Sequence, residues 1–206
     1  MKKLESTWYN MAVVLTAIAL IAGAALASVN EMTKGPIETL KAENERKAIA
    51  QVLGGGDVNV EKVDSVKWED NCFIVSDAGD KGAAVKSVDP QNGSFGGGLT
   101  IMVGFTPDGA VSGYSVLQTN ETPGLGAKAD EWFQKDGKSS IIGMNPGEAQ
   151  LTVKKDGGNV DAITASTITS RAFLRAVNAA HAAYMQAKNG TDGSDAVSGA
   201  STKNNK

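Results

Sequence analysis

The sequence has one cysteine and one histidine in 206 residues, and only 5 prolines, 3 tryptophans, 3 tyrosines and 5 phenylalanines. A lone thiol, Cys72, excludes an intramolecular disulfide and any zinc or iron–sulfur site built from several cysteines. A lone imidazole, His181, excludes a multi-histidine metal centre. Excess positive charge is missing too: 20 Lys+Arg face 23 Asp+Glu, a formal net charge of −3, which argues against nucleic-acid binding. No internal repeat and no paired acid–base constellation is present. What the chain has in abundance is glycine, 24 residues or about 12% against a typical ~7%, which points to turns and to backbone lying close to a ligand.

Charge is unevenly placed. Residues 1–29 carry a net +1 and the remainder −4. From Met11 to Val29 there are nineteen residues without a charge, which as a helix would be about 28 Å long at ~1.5 Å per residue. That matches the hydrocarbon core of a bilayer. Trp8 and Tyr9 stand at its start as interfacial anchors, and Lys2 and Lys3 precede them, so the positive-inside bias places the N-terminus in the cytoplasm. The stretch is longer than a signal-peptide core, which favours a retained anchor over a cleaved signal despite Ala25-Leu26-Ala27. Either way the rest of the chain is exported.

The pattern predicts an α+β fold: one N-terminal transmembrane helix, then an antiparallel sheet packed with helices. Residues 1–10 read as a cytoplasmic N-terminus and 11–29 as the span. Residues 30–56 read as a stalk helix, opened by Pro36 in its first turn and closed by Gly54-Gly55-Gly56, and 57–188 as the folded domain. The Gly/Ser/Thr/Asn/Asp/Lys tail, 189–206, has little to bury and reads as disordered. Strands are predicted at Val58–Val63, Phe73–Ser76 and Leu151–Val153, and a hairpin joins Leu99–Phe105 to Val111–Leu117 through Pro107-Asp108-Gly109. Gly93-Ser94-Phe95-Gly96-Gly97-Gly98 reads as a turn or bulge rather than a dinucleotide fingerprint. A short helix is predicted through Ala129, Trp132 and Phe133, and a long one from Thr167 to about Ala187 with Phe173, Val177, Ala180 and Tyr184 on its buried face. Trp68, Trp132 and Phe133 read as core, Cys72 as a small buried strand residue and His181 as a packed or surface residue. Lys154-Lys155 reads as a solvated turn, with a phosphate contact as the alternative.

Just before the long helix, Thr164, Ser166, Thr167, Thr169 and Ser170 put five hydroxyls into seven positions. A helix N-terminus offers unpaired N–H groups and the positive end of the helix dipole, which suits an anion such as phosphate. Ser and Thr are also favoured N-caps, so composition leaves both readings open.

The residues nevertheless carry a resemblance. Thr164-Ala165-Ser166-Thr167-Ile168-Thr169 resembles the flavinylation motif of the FMN-binding domain family, Ser/Thr-Gly-Ala-Thr-x-Ser/Thr, with Ala165 in place of Gly, Ser166 in place of Ala, and Asp161 as the upstream acid. Glu121-Thr122-Pro123-Gly124-Leu125-Gly126 is similar to the turn that lies beside the flavin in that family. Length and layout look most like the G subunits of Rnf-type electron-transport complexes, with the longer C subunits of sodium-translocating NADH:quinone oxidoreductases as the runner-up. The resemblance implies FMN joined by a flavin transferase to Thr169 through a phosphoester, with Thr164, Ala165, Ser166, Thr167 and Ile168 around the phosphate and Glu121, Thr122, Gly124, Leu125 and Gly126 beside the flavin. It further implies an electron relay on the outer face of the cytoplasmic membrane, membrane-embedded partner subunits and no independent catalysis. The reading from a different class is an anchored, non-redox module that binds a phosphorylated ligand.

Overall fold

The computed structural model describes residues 7–56, 58–60, 62–68 and 71–190. In chain order the elements are α1 (Trp8–Val52), β1 (Lys62–Trp68), β2 (Asn71–Asp77), β3 (Ala83–Val88), β4 (Thr100–Phe105), β5 (Val111–Gln118), the single turn α2 (Ala129–Trp132) and α3 (Thr167–Gly190). This is the α+β arrangement that the pattern predicts. The chain divides into two units, Met1–Asn44 and Glu45–Lys206.

The described residues of the first unit are helical from Trp8 onward. Its apolar side chains have no protein over them: Leu15, Leu20 and Ile21 are about 70% exposed (71%, 68% and 71%). Its hydroxyls instead turn back onto its own backbone, Thr16 Oγ1 donating to Ala12 O, Ser28 Oγ to Ala24 O and Thr33 Oγ1 to Val29 O, each at 2.8 Å. Apolar side chains outward and polar groups satisfied internally are what a hydrocarbon solvent demands. The helix is long and apolar enough to cross a membrane. Pro36 corrects one expectation: it lies inside α1 rather than in the first turn of a separate stalk helix. A proline removes one i→i−4 bond, and the helix continues through that single loss. The helix ends where expected, at Gly54, Gly55 and Gly56, whose φ values of +90°, +79° and +84° a side chain would resist.

In the second unit five strands form an antiparallel meander in the order β1-β2-β3-β4-β5. One face packs under α3. Phe73, Val75, Ala83, Val85, Ile101, Val103 and Phe105 meet Phe173, Ala176, Val177 and Ala180 there, all buried. The alternation of Leu99, Ile101, Val103 and Phe105 onto this face is as predicted. The opposite face carries Ala84 and Met102, which pack with Ala48, Val52 and Leu53 at the end of α1. Two glycines paired across the hairpin, Gly104 and Gly113, make room for that helix end. A Cβ on Gly104 would strike the Val52 carbonyl, and one on Gly113 would lie 3.1 Å from Val52 Cα. Ser112 Oγ donates to Val52 O at 2.6 Å.

Several local expectations are corrected. The first strand is Lys62–Trp68, not Val58–Val63, and the side chain of Trp68 lies outside the described residues. Leu151–Val153 makes only an isolated bridge, Val153 to Val160, because the following turn at Lys154–Asp156 folds the chain back at once. Cys72 is exposed. It precedes the buried Phe73 in β2, and strand alternation turns the thiol outward. The long helix runs three residues beyond Ala187, so Asn189 and Gly190 are helical, while the rest of the predicted tail, 191–206, lies outside the described residues.

Candidate functional site

Aromatic packing fixes the position of the hydroxyl-rich helix start. Phe173 of α3 stacks on Phe133, with ring centroids 4.7 Å apart and planes at 14°, and meets Tyr114 of β5 edge-on at 4.8 Å. The Tyr114 hydroxyl donates to Ala129 O at 2.6 Å and accepts from Phe133 N at 3.2 Å, tying β5 to α2. Burial pushes that phenol well above its ordinary range. The segment between β5 and α2 contains Glu121–Gly126, so the packing of Phe173 draws this turn against the first turn of α3.

The result is a cavity of about 390 Å³ lined by Phe95, Glu121, Thr122, Leu125, Gly126, Ala165, Ser166, Thr167, Ile168 and Thr169. The two segments singled out in the sequence, some forty residues apart, form its facing walls. Gly126 is wedged between them: a Cβ there would collide with the Glu121 carboxylate and lie 2.8 Å from Thr169 Oγ1. Glu121 is buried, and its Oε1 accepts the Gly96 N–H at 3.1 Å, pulling the glycine-rich loop into the same wall.

At the start of α3, Ser170 N donates to Ser166 O at 3.0 Å as the first intrahelical bond, so the N–H groups of Thr167, Ile168 and Thr169 lie ahead of it at the positive end of the helix dipole. Ser170 Oγ donates to Ser166 O and accepts from Ile163 N, both at 2.9 Å, and so closes the turn leading into the helix. Ala165 within that turn has φ +62°, in the left-handed region that disfavours a Cβ. This is the position where the family motif has Gly.

Not every residue named from the sequence lines the cavity. Thr164 and Gly124 are exposed and lie outside its lining. The Asp161 carboxylate pairs with Lys154 Nζ at 2.8 Å. Lys155 places its ammonium 3.3 Å from Thr167 Oγ1, and the turn that carries it is held to α3 by the two-pronged Arg171–Asp156 pair, at 2.7 and 2.6 Å. Arg171 draws the Asp156 carboxyl below its ordinary 3.8. Trp132, half-buried, donates its indole N–H to Asp161 O at 3.0 Å and does not line the cavity. His181 is a packed residue, edge-on to Phe105 at 5.5 Å, and burial lowers its pKa from 6.5. The lining residue that sequence reasoning missed is Phe95. Its signal was present, a bulky aromatic among five glycines and serines, but a turn reading absorbed it.

The cavity suits a ligand with an anion at one end and an apolar body. Backbone N–H groups and hydroxyls of Ser166–Thr169 supply polar groups to its lining, while Phe95, Leu125 and Ile168 supply exposed apolar side chains (74%, 42% and 52%).

Residues 94–182 match the FMN-binding domain family. The chain is 32% identical to the G subunit of the ion-translocating oxidoreductase complex of Escherichia coli O157:H7, over 75% of this chain and 80% of that protein. It is 30% identical to the protein of the same name from Shewanella amazonensis, over 80% and 82%. The G subunit of the Na(+)-translocating ferredoxin:NAD(+) oxidoreductase complex of Acetobacterium woodii is 26% identical over 86% of this chain and 93% of its own length.

Proposed function

The chain belongs to the family of G subunits of ion-translocating oxidoreductase complexes, and we propose that it relays electrons through FMN attached covalently at Thr169. It is one subunit of a multi-subunit membrane complex, its FMN-binding domain covers residues 94–182, and its N-terminal helix is long and apolar enough to span the bilayer. Ferredoxin and NAD+ are the couple named for the Acetobacterium relative, and they are the couple we propose here. The names of these relatives favour the G-type reading over the C-type one.

The observation that carries the site assignment is the meeting of Glu121–Gly126 with Ala165–Thr169 around one cavity, with no space left at Gly126 between the Glu121 carboxylate and the Thr169 hydroxyl. These residues fit FMN. Thr169 Oγ1 would carry the phosphoester. The N–H groups of Thr167, Ile168 and Thr169, and the Ser166 and Thr167 hydroxyls, would hold the phosphate oxygens. Lys155, beside Thr167, would offset their charge. Leu125 and Ile168 would keep water off the apolar part, and Glu121 would hold the Gly96 loop against it. When bound, the flavin supplies the redox chemistry, and the chain supplies tethering, orientation and electrostatic tuning.

Three further statements belong to the proposal. A flavin transferase makes the bond, which retains the cofactor where a dissociated flavin would be diluted. The N-terminus is cytoplasmic and the FMN domain lies on the outer side, as the lysines before α1 suggest. The isolated subunit has no catalysis of its own, and robust NADH oxidation by it would refute the relay reading. The test of the tether is in-gel flavin fluorescence of the denatured full chain, made with and without a transferase, beside Thr169→Ala. Fluorescence that survives denaturation in the native chain and vanishes in the variant supports the proposal; no retained flavin, with the transferase active on a control, favours a non-redox binding module.

A further inference from the structure

Outside α1, five large apolar side chains among the described residues are exposed: Val63, Ile74, Phe95, Leu125 and Ile168. Three of them, Phe95, Leu125 and Ile168, line the same cavity, and the most exposed of the five is the aromatic, Phe95, at 74%. A phenylalanine held in water is unfavourable unless something covers it.

Phe95 is not on a slack loop. Ser94 and Gly97 close a turn around it, Gly97 N donating to Ser94 O at 3.1 Å. Upstream, the Asp89 carboxylate, buried, accepts Gly93 N at 2.6 Å and is gripped two-pronged by Arg175 at 2.9 and 2.8 Å. Downstream, Gly96 N donates to Glu121 Oε1 at 3.1 Å, and a Cβ on Gly96 would run into the Asn120 carbonyl. Gly98 N donates to Asn92 Oδ1 at 3.1 Å. Two buried carboxylates thus pin the loop on either side of Phe95, one of them from the cavity wall itself, and hold the ring in the lining of the cavity that also contains Thr167–Thr169.

We propose that Phe95 is a further flavin-contacting residue, its ring packing on the isoalloxazine and covering it from water. The inference rests on the reading that FMN occupies this cavity. The occupant follows from continuity: the phosphate end is fixed at Thr169, and the apolar rim formed by Phe95, Leu125 and Ile168 is the surface left for a planar aromatic body. Aromatic rings pair by offset stacking or edge-on contact, and Phe95 is the only aromatic side chain among the described residues lining the cavity.

The experiment uses the flavinylated full chain in detergent, with Phe95→Trp, Phe95→Leu and Phe95→Ala. Emission is normalised to bound flavin from its absorbance, and folding is checked by thermal melting. An indole in ring contact quenches flavin emission by electron transfer, so Phe95→Trp, whose ring would lie at stacking distance, is expected to lose most of the emission per bound flavin that Phe95→Leu retains. Phe95→Ala is expected to raise the iodide quenching constant, because a covering ring is lost. Unchanged emission and lifetime in Phe95→Trp, with flavin content retained, would overturn the inference. So would variants that differ only in binding to partner subunits, which would make Phe95 a docking residue. Flavin retained through denaturation in Thr169→Ala would instead overturn the cavity assignment beneath it, which keeps the two failures apart.

Discussion

The two faces of the sheet are held by different means. Toward α3 the contact is made of large rings: Phe105, Tyr114, Phe133 and Phe173 are all at most 1% exposed. Toward the end of α1 it is made of smaller side chains, Ala48, Val52 and Leu53 on Ala84 and Met102, and of close backbone, with the Val52 carbonyl seated over Gly104 and Gly113 and held by Ser112. The first face gains stability from apolar area and sets the angle at which the start of α3 meets Glu121–Gly126. The second buries a smaller apolar cluster, and its closest approach depends on the absence of side chains at Gly104 and Gly113. The α3 face therefore governs the flavin cavity, and the glycine face governs only how the last turns of α1 sit on the sheet.

Substitutions can break this contrast in order of severity. Phe173→Ala empties a buried site between Phe133 and Tyr114, which costs about 3–5 kcal/mol. Chemical denaturation should show that loss, and denaturing-gel fluorescence should show reduced flavin attachment, since the cavity wall moves with the ring. Gly104→Ala forces a methyl group against the Val52 carbonyl, a cost of about 2 kcal/mol for overpacking. Flavin attachment in the folded fraction should remain at the native level; a loss matching that of Phe173→Ala would mean that the two faces are not separable.

Smaller effects sharpen the picture. Tyr114→Phe leaves Ala129 O and Phe133 N without their partner, at about 1–2 kcal/mol, measurable by denaturant titration. Ala165→Gly removes the penalty of a Cβ at φ +62° and should stabilise the chain by about 1 kcal/mol, with flavin attachment equal or improved. Acidification adds a test on the α3 face. Burial lowers the pKa of His181 from 6.5, so the unfolded chain binds the proton more readily. Stability contributed by neutral His181 is complete above 6.5 and falls as pH drops below it. His181→Gln should flatten that decline as pH falls below 6.5, above the range in which Asp156, already lowered from 3.8, takes up its proton.

What could be read from the sequence followed from periodicity and from unusual residue types. The alternation of Leu99, Ile101, Val103 and Phe105, and the spacing of Phe173, Val177, Ala180 and Tyr184, each marked a buried face that the structure contains. The two cavity walls were visible as clusters of Pro/Gly and of hydroxyls. β3 was not: Ala83, Ala84 and Val85 are buried on both sides of the sheet, so the strand shows no apolar alternation and no aromatic residue. Pro36 misled because a proline that starts a helix and one carried within it look alike in sequence. Cys72 misled only through residue type, since the buried Phe73 beside it already fixed its direction. Ala165 and Phe95 were only partly legible, for a common reason. Backbone handedness and the exposure of a pinned ring arise from contacts across the chain, through Ser170 to Ile163 and through Glu121 to Gly96.

The most direct test of the account is the position of the flavin. Cleavage of the flavinylated full chain after Lys155 and Arg171 releases residues 156–171, which contain Thr164, Ser166, Thr167, Thr169 and Ser170. Fragment-ion mass spectrometry of that peptide should place the whole FMN phosphoester on Thr169. Placement on another of these hydroxyls, or an unmodified peptide from a protein that retains its flavin, would contradict it.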